Sequence, residues 1–506
     1  MSYLLGIDNG GTVAKAAVFD LEGNELAVAT RKVEAATPQP GWTELDMDLL
    51  WSATAEAVRE AIGRAQIDPN DIACAACCGY GNGLFLLDDA GRPVRRAVYS
   101  ADARARSYID RWTADGVARA VRPKTMQSVW PGQPNALLAW LRDHEPEALR
   151  RAKSLLMCKD YIRFRLTGEV AMEQTDMSAT SLINVAECRH DPSVLEAFGI
   201  AEMQRLLPPL VRCDTICGRV TDDAARLTGL APGTPVAGGL FDIDACGLAS
   251  GLVDDGQLSI VVGTWGNNQY ISTRPVASDI FMTSCYALPD HYLMLEGSPT
   301  SGNNLEWFVT EFFQAERQQA QQAGTSVFDL CNRLVQETRP EDSGLVFLPF
   351  LYGSNVSPDA KGCFLGLDGW QRRGHVLRAI YEGVVFSHQW HIERLRKFRG
   401  PFERICLTGG AARSDAWMQI FADVLRAPVE IPAGTELGAL GSAICAAVAA
   451  GLYPSFQAAC RQMVRIARTY EPCAARAELY AAKSARYAAA LRALEPVWAE
   501  LAWKRG

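Results

Sequence analysis

A strand, a glycine turn and a second strand open this chain, and that unit restricts what it can fold into more than any other feature. Leu4-Leu5-Gly6-Ile7-Asp8 is an apolar run, Asn9-Gly10-Gly11-Thr12 turns, and residues 14–20 resume the strand. A second turn at residues 21–24 precedes ELAVATRKV, so two or three antiparallel strands are expected. Residues 48–66 then read as a helix, with Leu50, Ala57, Val58 and Ile62 on one face. An apolar strand at 72–78, the turn Gly79-Tyr80-Gly81-Asn82-Gly83 and a short run at 84–88 follow. Strands and helices alternate. That order indicates an α/β chain with mixed sheets.

The opening grammar returns at residues 254–273, where DDGQ turns, LSIVV is apolar, GTWGNN turns and QYIST resumes. Two domains of one plan are therefore expected, divided as residues 1–246 and 247–506. Further on, residues 378–396 read as a helix, FERICLTGG as a strand ending in a turn, and residues 415–425 as a helix. Strand, glycine turn and helix in that order suit a nucleotide.

The charge balance narrows the partners. Fifty Lys and Arg against 58 Asp and Glu leave a net charge of −8, which argues against a general grip on nucleic acid or on anionic lipid. Any phosphate site must be local. The 15 cysteines are odd in number, and no secretory leader precedes them, so reduced thiols and a cytoplasmic location are expected. Cys74, Cys77 and Cys78 lie in the apolar run IACAACC and read as buried strand residues. The long uncharged stretch at 437–453 is mostly Ala and Gly, too weakly apolar for a membrane span, and reads as a buried helix.

Four segments carry chemistry. In Asp8-Asn9-Gly10-Gly11-Thr12-Val13-Ala14-Lys15, glycines let backbone N–H groups approach phosphate oxygens, Thr12 adds a hydroxyl and Lys15 a charge. Asp8 at the strand end could hold Mg2+ through water. An ordinary hairpin turn is the plain alternative. Gly263-Thr264-Trp265-Gly266 repeats the device, and Thr408-Gly409-Gly410-Ala411-Ala412-Arg413-Ser414 removes bulk after a strand, where a purine or ribose could lie, or where helix and strand simply approach closely. In Gly238-Gly239-Leu240-Phe241-Asp242-Ile243-Asp244-Ala245, two carboxylates sit in an apolar stretch, where burial raises a pKa toward that of a useful base; a helix cap is the competing role for Asp242. No GxxxxGK[ST] run exists, and Gly79, Gly81 and Gly83 are spaced GxGxG rather than GxGxxG, so neither a P-loop nor a dinucleotide fingerprint is present. His388 and His391, with no carboxylate at metal spacing, read as a packed or solvated pair.

Together these residues resemble the FGGY carbohydrate kinases. The likeness runs almost end to end: GIDNGGTVAKAAVFD, Gly41-Trp42-Thr43-Glu44-Leu45-Asp46, Asp102 with Arg104, KDYIRFRLTGE, Thr175-Asp176-Met177-Ser178, GGLFD, VVGTWG, LPFLYGSNVSPDAKGCFLGL, LTGGAARSDAW and Glu436-Leu437-Gly438-Ala439-Leu440-Gly441. The resemblance implies two ribonuclease H-like domains of the actin and sugar-kinase type closing on ATP. It implies that Asp8 is the magnesium-linked carboxylate, that Thr12 and Lys15 belong to the first phosphate hairpin, and that Gly263 and Thr264 belong to the second. Gly409, Gly410, Ala411 and Ser414 match the adenosine loop, Asp242 the aspartate that takes the sugar proton, and Gly81, Asn82 and Asp102 the sugar contacts. The GTW and GGLFD variants look most like the L-xylulose and keto-sugar branch, with erythritol-type or glycerol-type polyol kinases as the alternative. An actin-like ATP-gated binding module without sugar transfer is the remaining rival. A small-molecule sugar is the expected partner, and oligomeric state is left open, a homodimer included.

Overall fold

The computed structural model describes residues 2–278, 280–355 and 359–501, so residues 356–358 of the LPFLYGSNVSPDAKGCFLGL stretch fall outside the described residues. The chain forms two compact units, each assembled from segments distant in sequence. The first takes Met1–Asp254, Ile271–Met294 and Gly434–Arg465; the second takes Asp255–Tyr270, Leu295–Ala433 and Ile466–Gly506.

In the first unit, strands run in the order Ile216–Arg219, Pro235–Ala237, Ile72–Gly79, Tyr3–Asn9, Val13–Phe19 and Glu25–Lys32, with Leu240–Phe241 also beside Ile72–Gly79. Tyr3–Asn9 pairs antiparallel with Val13–Phe19 and parallel with Ile72–Gly79, which makes the sheet mixed. Its side chains alternate between two cores. Leu5 and Ile7, with Ala75 and Cys77, share a core with the helix Met47–Ala65, whereas Leu4, Cys74, Ala76 and Cys78 share one with the helix Leu437–Ala449. Small thiols fill both faces of the IACAACC strand, as its period of two requires. All fifteen cysteines are unbridged.

Each helix has a local cause. Asp46 caps Met47–Ala65 by accepting from the backbone N–H groups of Asp48 and Leu49, and Gln66 ends it in a left-handed conformation. The Ala- and Gly-rich helix lies almost on the strand backbone: a Cβ on Gly6 would stand 1.9 Å from the carbonyl oxygen of Ala439. Close packing therefore accounts for its composition. It ends at Ala449, short of residue 453, because the backbone turns at Gly451 with φ of 71°. Among the described residues no helix is long and apolar enough to cross a membrane.

The second unit repeats the plan. Gln257–Val262 pairs antiparallel with Gly266–Ser272 and parallel with Arg404–Thr408, which is followed outward by Val429–Pro432 and Ile466–Tyr470. The helices Arg373–Arg399, Asp415–Leu425 and Ala474–Leu501 pack together beside this sheet. The hairpin-plus-parallel-strand echo seen in the sequence is thus present in both units.

His388 and His391 lie buried on the inner side of the helix Arg373–Arg399. His388 holds Asn268 at 2.8 Å and Ser301 at 2.9 Å, and burial pushes its pKa down to about 3, so it props the second hairpin as a neutral ring. His391 does have a carboxylate partner, Glu296 at 2.9 Å, which the sequence spacing could not show because the two are 95 residues apart.

Candidate active site

The first unit gathers its chemical residues around the opening hairpin. The Gly10 N–H donates to the Val13 carbonyl at 2.9 Å, closing the turn. Asp8 and Lys15 face each other in register across it, and Lys15 pairs with Glu436 at 2.6 Å. Gly438, two residues on, leaves room for Asp8: a Cβ there would come 2.5 Å from Oδ2. The Cys78 thiol donates to Asp8 Oδ1 at 3.4 Å. Burial holds the Asp8 carboxyl above its usual range, and the Lys15 charge opposes it. Thr12 is exposed at the tip.

Asp242 is the first residue of the helix Asp242–Ala249, and the cap position belongs to Phe241, which makes no side-chain cap. The capping role for Asp242 is therefore not realised. Its half-buried carboxyl is pushed up to about 7, first by burial and then by the charge of Asp8, against a hydrogen bond from the Ile243 N–H. Such a group is half ionised near neutrality, the condition for efficient proton acceptance. Asp244 is buried and held well above the carboxylate range. Two residues along a helix are about 200° apart, so Asp242 and Asp244 do not share a face, as they would have in a strand.

The glycine turn at 79–83 lies against Phe241. A Cβ on Gly81 would stand 2.5 Å from that ring and 3.0 Å from Asp176 Oδ1, so only glycine fits. Asn82 takes a left-handed conformation (φ 67°), and its buried Oδ1 has no partner. Asp102 is fully committed within the protein. It accepts from the backbone N–H of Thr43 at 2.6 Å and from the Arg104 guanidinium at 2.9 Å on each oxygen, while Arg104 lies 4.0 Å over Trp42. It anchors the Trp42-Thr43-Glu44 segment.

A fully buried ionic group is supplied by the sequence motifs KDYIRFRLTGE and Thr175-Asp176 together with Glu173. Lys159 contacts Asp160 at 2.9 Å, Glu173 at 3.4 Å and Asp176 at 3.7 Å, and Arg163 contacts Asp160 at 2.8 Å. Arg163 also donates to the Gly238 carbonyl at 2.5 Å, and the Phe241 N–H donates to Thr175 Oγ1 at 3.0 Å. This group holds both ends of the GGLF segment that delivers Asp242.

In the second unit a cavity of about 400 Å³ is lined by Gly263, Thr264, Asn332, Tyr381, Gly410, Ala411, Arg413, Ser414 and Trp417, among others. That volume is within the range of small-molecule sites, roughly 300–1,000 Å³. Ser414 caps the helix Asp415–Leu425 by accepting from the Trp417 N–H at 3.1 Å, and it donates to Asn332 Oδ1 at 2.6 Å. The Tyr381 hydroxyl donates to the same oxygen at 2.8 Å, and the Tyr381 ring stacks on Trp417 with centroids 4.3 Å apart. Asn332, Tyr381 and Trp417 carry no signal of a cavity in the sequence, since each lies within a helix. Gly409 packs outside the lining, with φ of 96° and Val262 O only 2.4 Å from where its Cβ would be; Gly410 would meet nothing within 4 Å. Gly409→Ala should therefore lower the melting temperature, whereas Gly410→Ala should leave it within a degree or so, ~0.5 kcal/mol; scanning fluorimetry checks both.

Residues 3–248 match the N-terminal domain of the FGGY family of carbohydrate kinases and residues 258–450 its C-terminal domain. This chain belongs to the FGGY family of carbohydrate kinases. It is a phosphotransferase acting on a sugar, in a family that uses ATP. It is 37% identical over 495 residues to the L-xylulose/3-keto-L-gulonate kinase of Escherichia coli, covering 97% of each chain. It is 39% identical over 450 residues to a probable L-xylulose kinase of Pasteurella multocida, covering 88% of this chain and 90% of that one. Among solved structures, the xylulose kinase of Rhodospirillum rubrum superposes with a TM-score of 0.86 at 27% identity over 98% of this chain and 99% of the other. The two-domain α/β sugar-kinase fold is thereby shared.

Proposed function

We propose that this FGGY kinase transfers the terminal phosphoryl group of ATP to a terminal hydroxyl of a pentulose, with L-xylulose the favoured substrate and Asp242 the proton acceptor. The names of the two relatives support the sugar. The observation that carries the chemistry is Asp242 itself: a half-buried carboxyl brought near neutrality, at the start of a helix, beside the Gly81 turn.

Residues 1–246 would supply the sugar side and residues 247–506 the nucleotide side. Gly81, Asn82 and Asp102 shape the sugar pocket with Asp242; the free Oδ1 of Asn82 is ready to accept from a hydroxyl. Thr12 and Lys15 serve phosphate from the first hairpin, Gly263 and Thr264 from the second, and Gly409, Gly410, Ala411 and Ser414 form the adenosine side. Phosphoryl transfer passes through a loose transition state, so alignment and charge neutralisation do most of the work. Asp242 then accepts the proton of the attacking hydroxyl, and burial keeps water from competing for the phosphoryl group.

Magnesium fits this arrangement. Among the described residues no three His, Cys, Asp or Glu side chains converge as a metal cage. Mg2+ commonly takes one or two carboxylates, waters and substrate phosphates instead. Asp8, whose charge already raises Asp242, is the carboxylate that would hold it, and the ion would neutralise phosphate charge.

The decisive measurement is ADP release, coupled to a dehydrogenase, across pentuloses, hexuloses, tetritols and glycerol. Turnover should be highest with L-xylulose. Faster turnover with erythritol or glycerol than with every ketose would replace the substrate proposal.

A further inference from the structure

Two thiols in the first unit stand apart from the other thirteen. The Cys285 thiol donates to the Cys188 sulfur with Sγ to Sγ at 2.8 Å, a gap that needs to close by only about 0.8 Å to reach a disulfide, roughly 2.0 Å. Cys188 is half-buried and sits in the turn between Ile183–Asn184 and Arg189–His190, with a left-handed φ of 46° that is unusual outside glycine. Cys285 is buried at the end of the strand Met282–Cys285. The hydrogen bond from Cys285 lowers the Cys188 pKa and correspondingly raises that of Cys285. A partly exposed, acidified thiol next to a buried resolving thiol is the arrangement of an oxidisable pair. Cys213 and Cys445 also adjoin, but both are buried, which denies access to a reagent.

We infer that Cys188 and Cys285 form a reversible dithiol–disulfide site, oxidised by hydrogen peroxide, that slows the kinase when closed. The Cys188 thiolate attacks the peroxide oxygen; the O–O bond breaks, and the departing hydroxide takes a proton and leaves as water, giving a sulfenic acid. The Cys285 sulfur then attacks the Cys188 sulfur, the S–S bond forms, the S–O bond breaks, and the hydroxide leaves as water with the Cys285 proton. Two thiols lose two electrons and the peroxide is reduced to two waters.

The route to the active site is short and continuous. The Cys285 N–H donates to Ser178 Oγ at 2.9 Å, Ser178 Oγ donates to the Thr175 carbonyl at 2.7 Å, and Thr175 Oγ1 accepts from the N–H of Phe241 at 3.0 Å. Phe241 precedes Asp242. Drawing Cys285 toward Cys188 therefore pulls on the residues that set the position of Asp242. This effect on rate rests on the proposed role of Asp242; formation of the disulfide does not.

The test treats the full-length protein with hydrogen peroxide, alkylates the remaining thiols, maps peptides by mass spectrometry and measures kcat. A single cross-link between the peptides of residues 188 and 285 is expected, with kcat falling about 5-fold or more and recovering in dithiothreitol. Cys188→Ser should keep its kcat through the same treatment. Cys285→Ala should stop at a sulfenic acid that dimedone traps on Cys188. Full alkylation of both thiols after peroxide, a bridge that leaves kcat unchanged, or equal inactivation of Cys188→Ser would each overturn the inference.

Discussion

Asp242→Asn should lower kcat about 10²–10⁴-fold, the range set by loss of a general base, while ATP still stabilises the folded protein in a thermal-shift assay. The substitution keeps shape and removes only the proton acceptor. In the parent enzyme kcat/KM should fall tenfold per pH unit below about 7, because the carboxyl pushed up to about 7 must be ionised to act. The sign for stability is the reverse. A carboxyl whose folded value is raised from 3.8 contributes stability below that unfolded value, and the contribution is lost as pH rises through about 7. Asp242→Asn should then be at least as heat-stable as the parent at pH 8. A variant with parental turnover, or a parental rate that is flat from pH 5.5 to 8, would remove Asp242 from the mechanism.

Lys159→Met should be the most damaging substitution for folding. Lys159 is fully buried, and although burial opposes its charge, Asp160, Glu173 and Asp176 together more than offset that, leaving the ammonium held above its usual range. Removing it strands three buried carboxyls, with Arg163 alone to answer them. Breaking a buried ion pair from one side costs about 3–5 kcal/mol. Urea denaturation should show that loss, and the variant should retain more of its stability at pH 5 than at pH 8, since protonation discharges the stranded acids. A denaturation midpoint equal to the parent's at both pH values would show that the cluster carries no such burden.

How much of this was legible beforehand follows from range. The opening hairpin, the helix after it and the IACAACC strand were readable because each is set by a local period and a local turn. The echo at residues 254–273 was readable for the same reason. Partners of long reach were not. Nothing near Lys15 announces Glu436, 421 residues away, and nothing near His391 announces Glu296. Tyr381 and Trp417 sit at helical spacing, and only their stacking in three dimensions turns core-like residues into the wall of a cavity. For Asp102, likewise, only the structure shows both of its oxygens held by Arg104 and Thr43.

The threading of the first unit bears on how the protein is made. Tyr3–Asn9 leaves the ribosome long before the helix that covers its Leu4 side, which emerges only with residues 437–449. At ~5–20 residues per second the wait is roughly 20–90 s. Throughout it the nascent sheet shows Leu4, Cys74, Ala76 and Cys78 to whatever it meets. A fragment released at residue 246 would carry that bare face permanently.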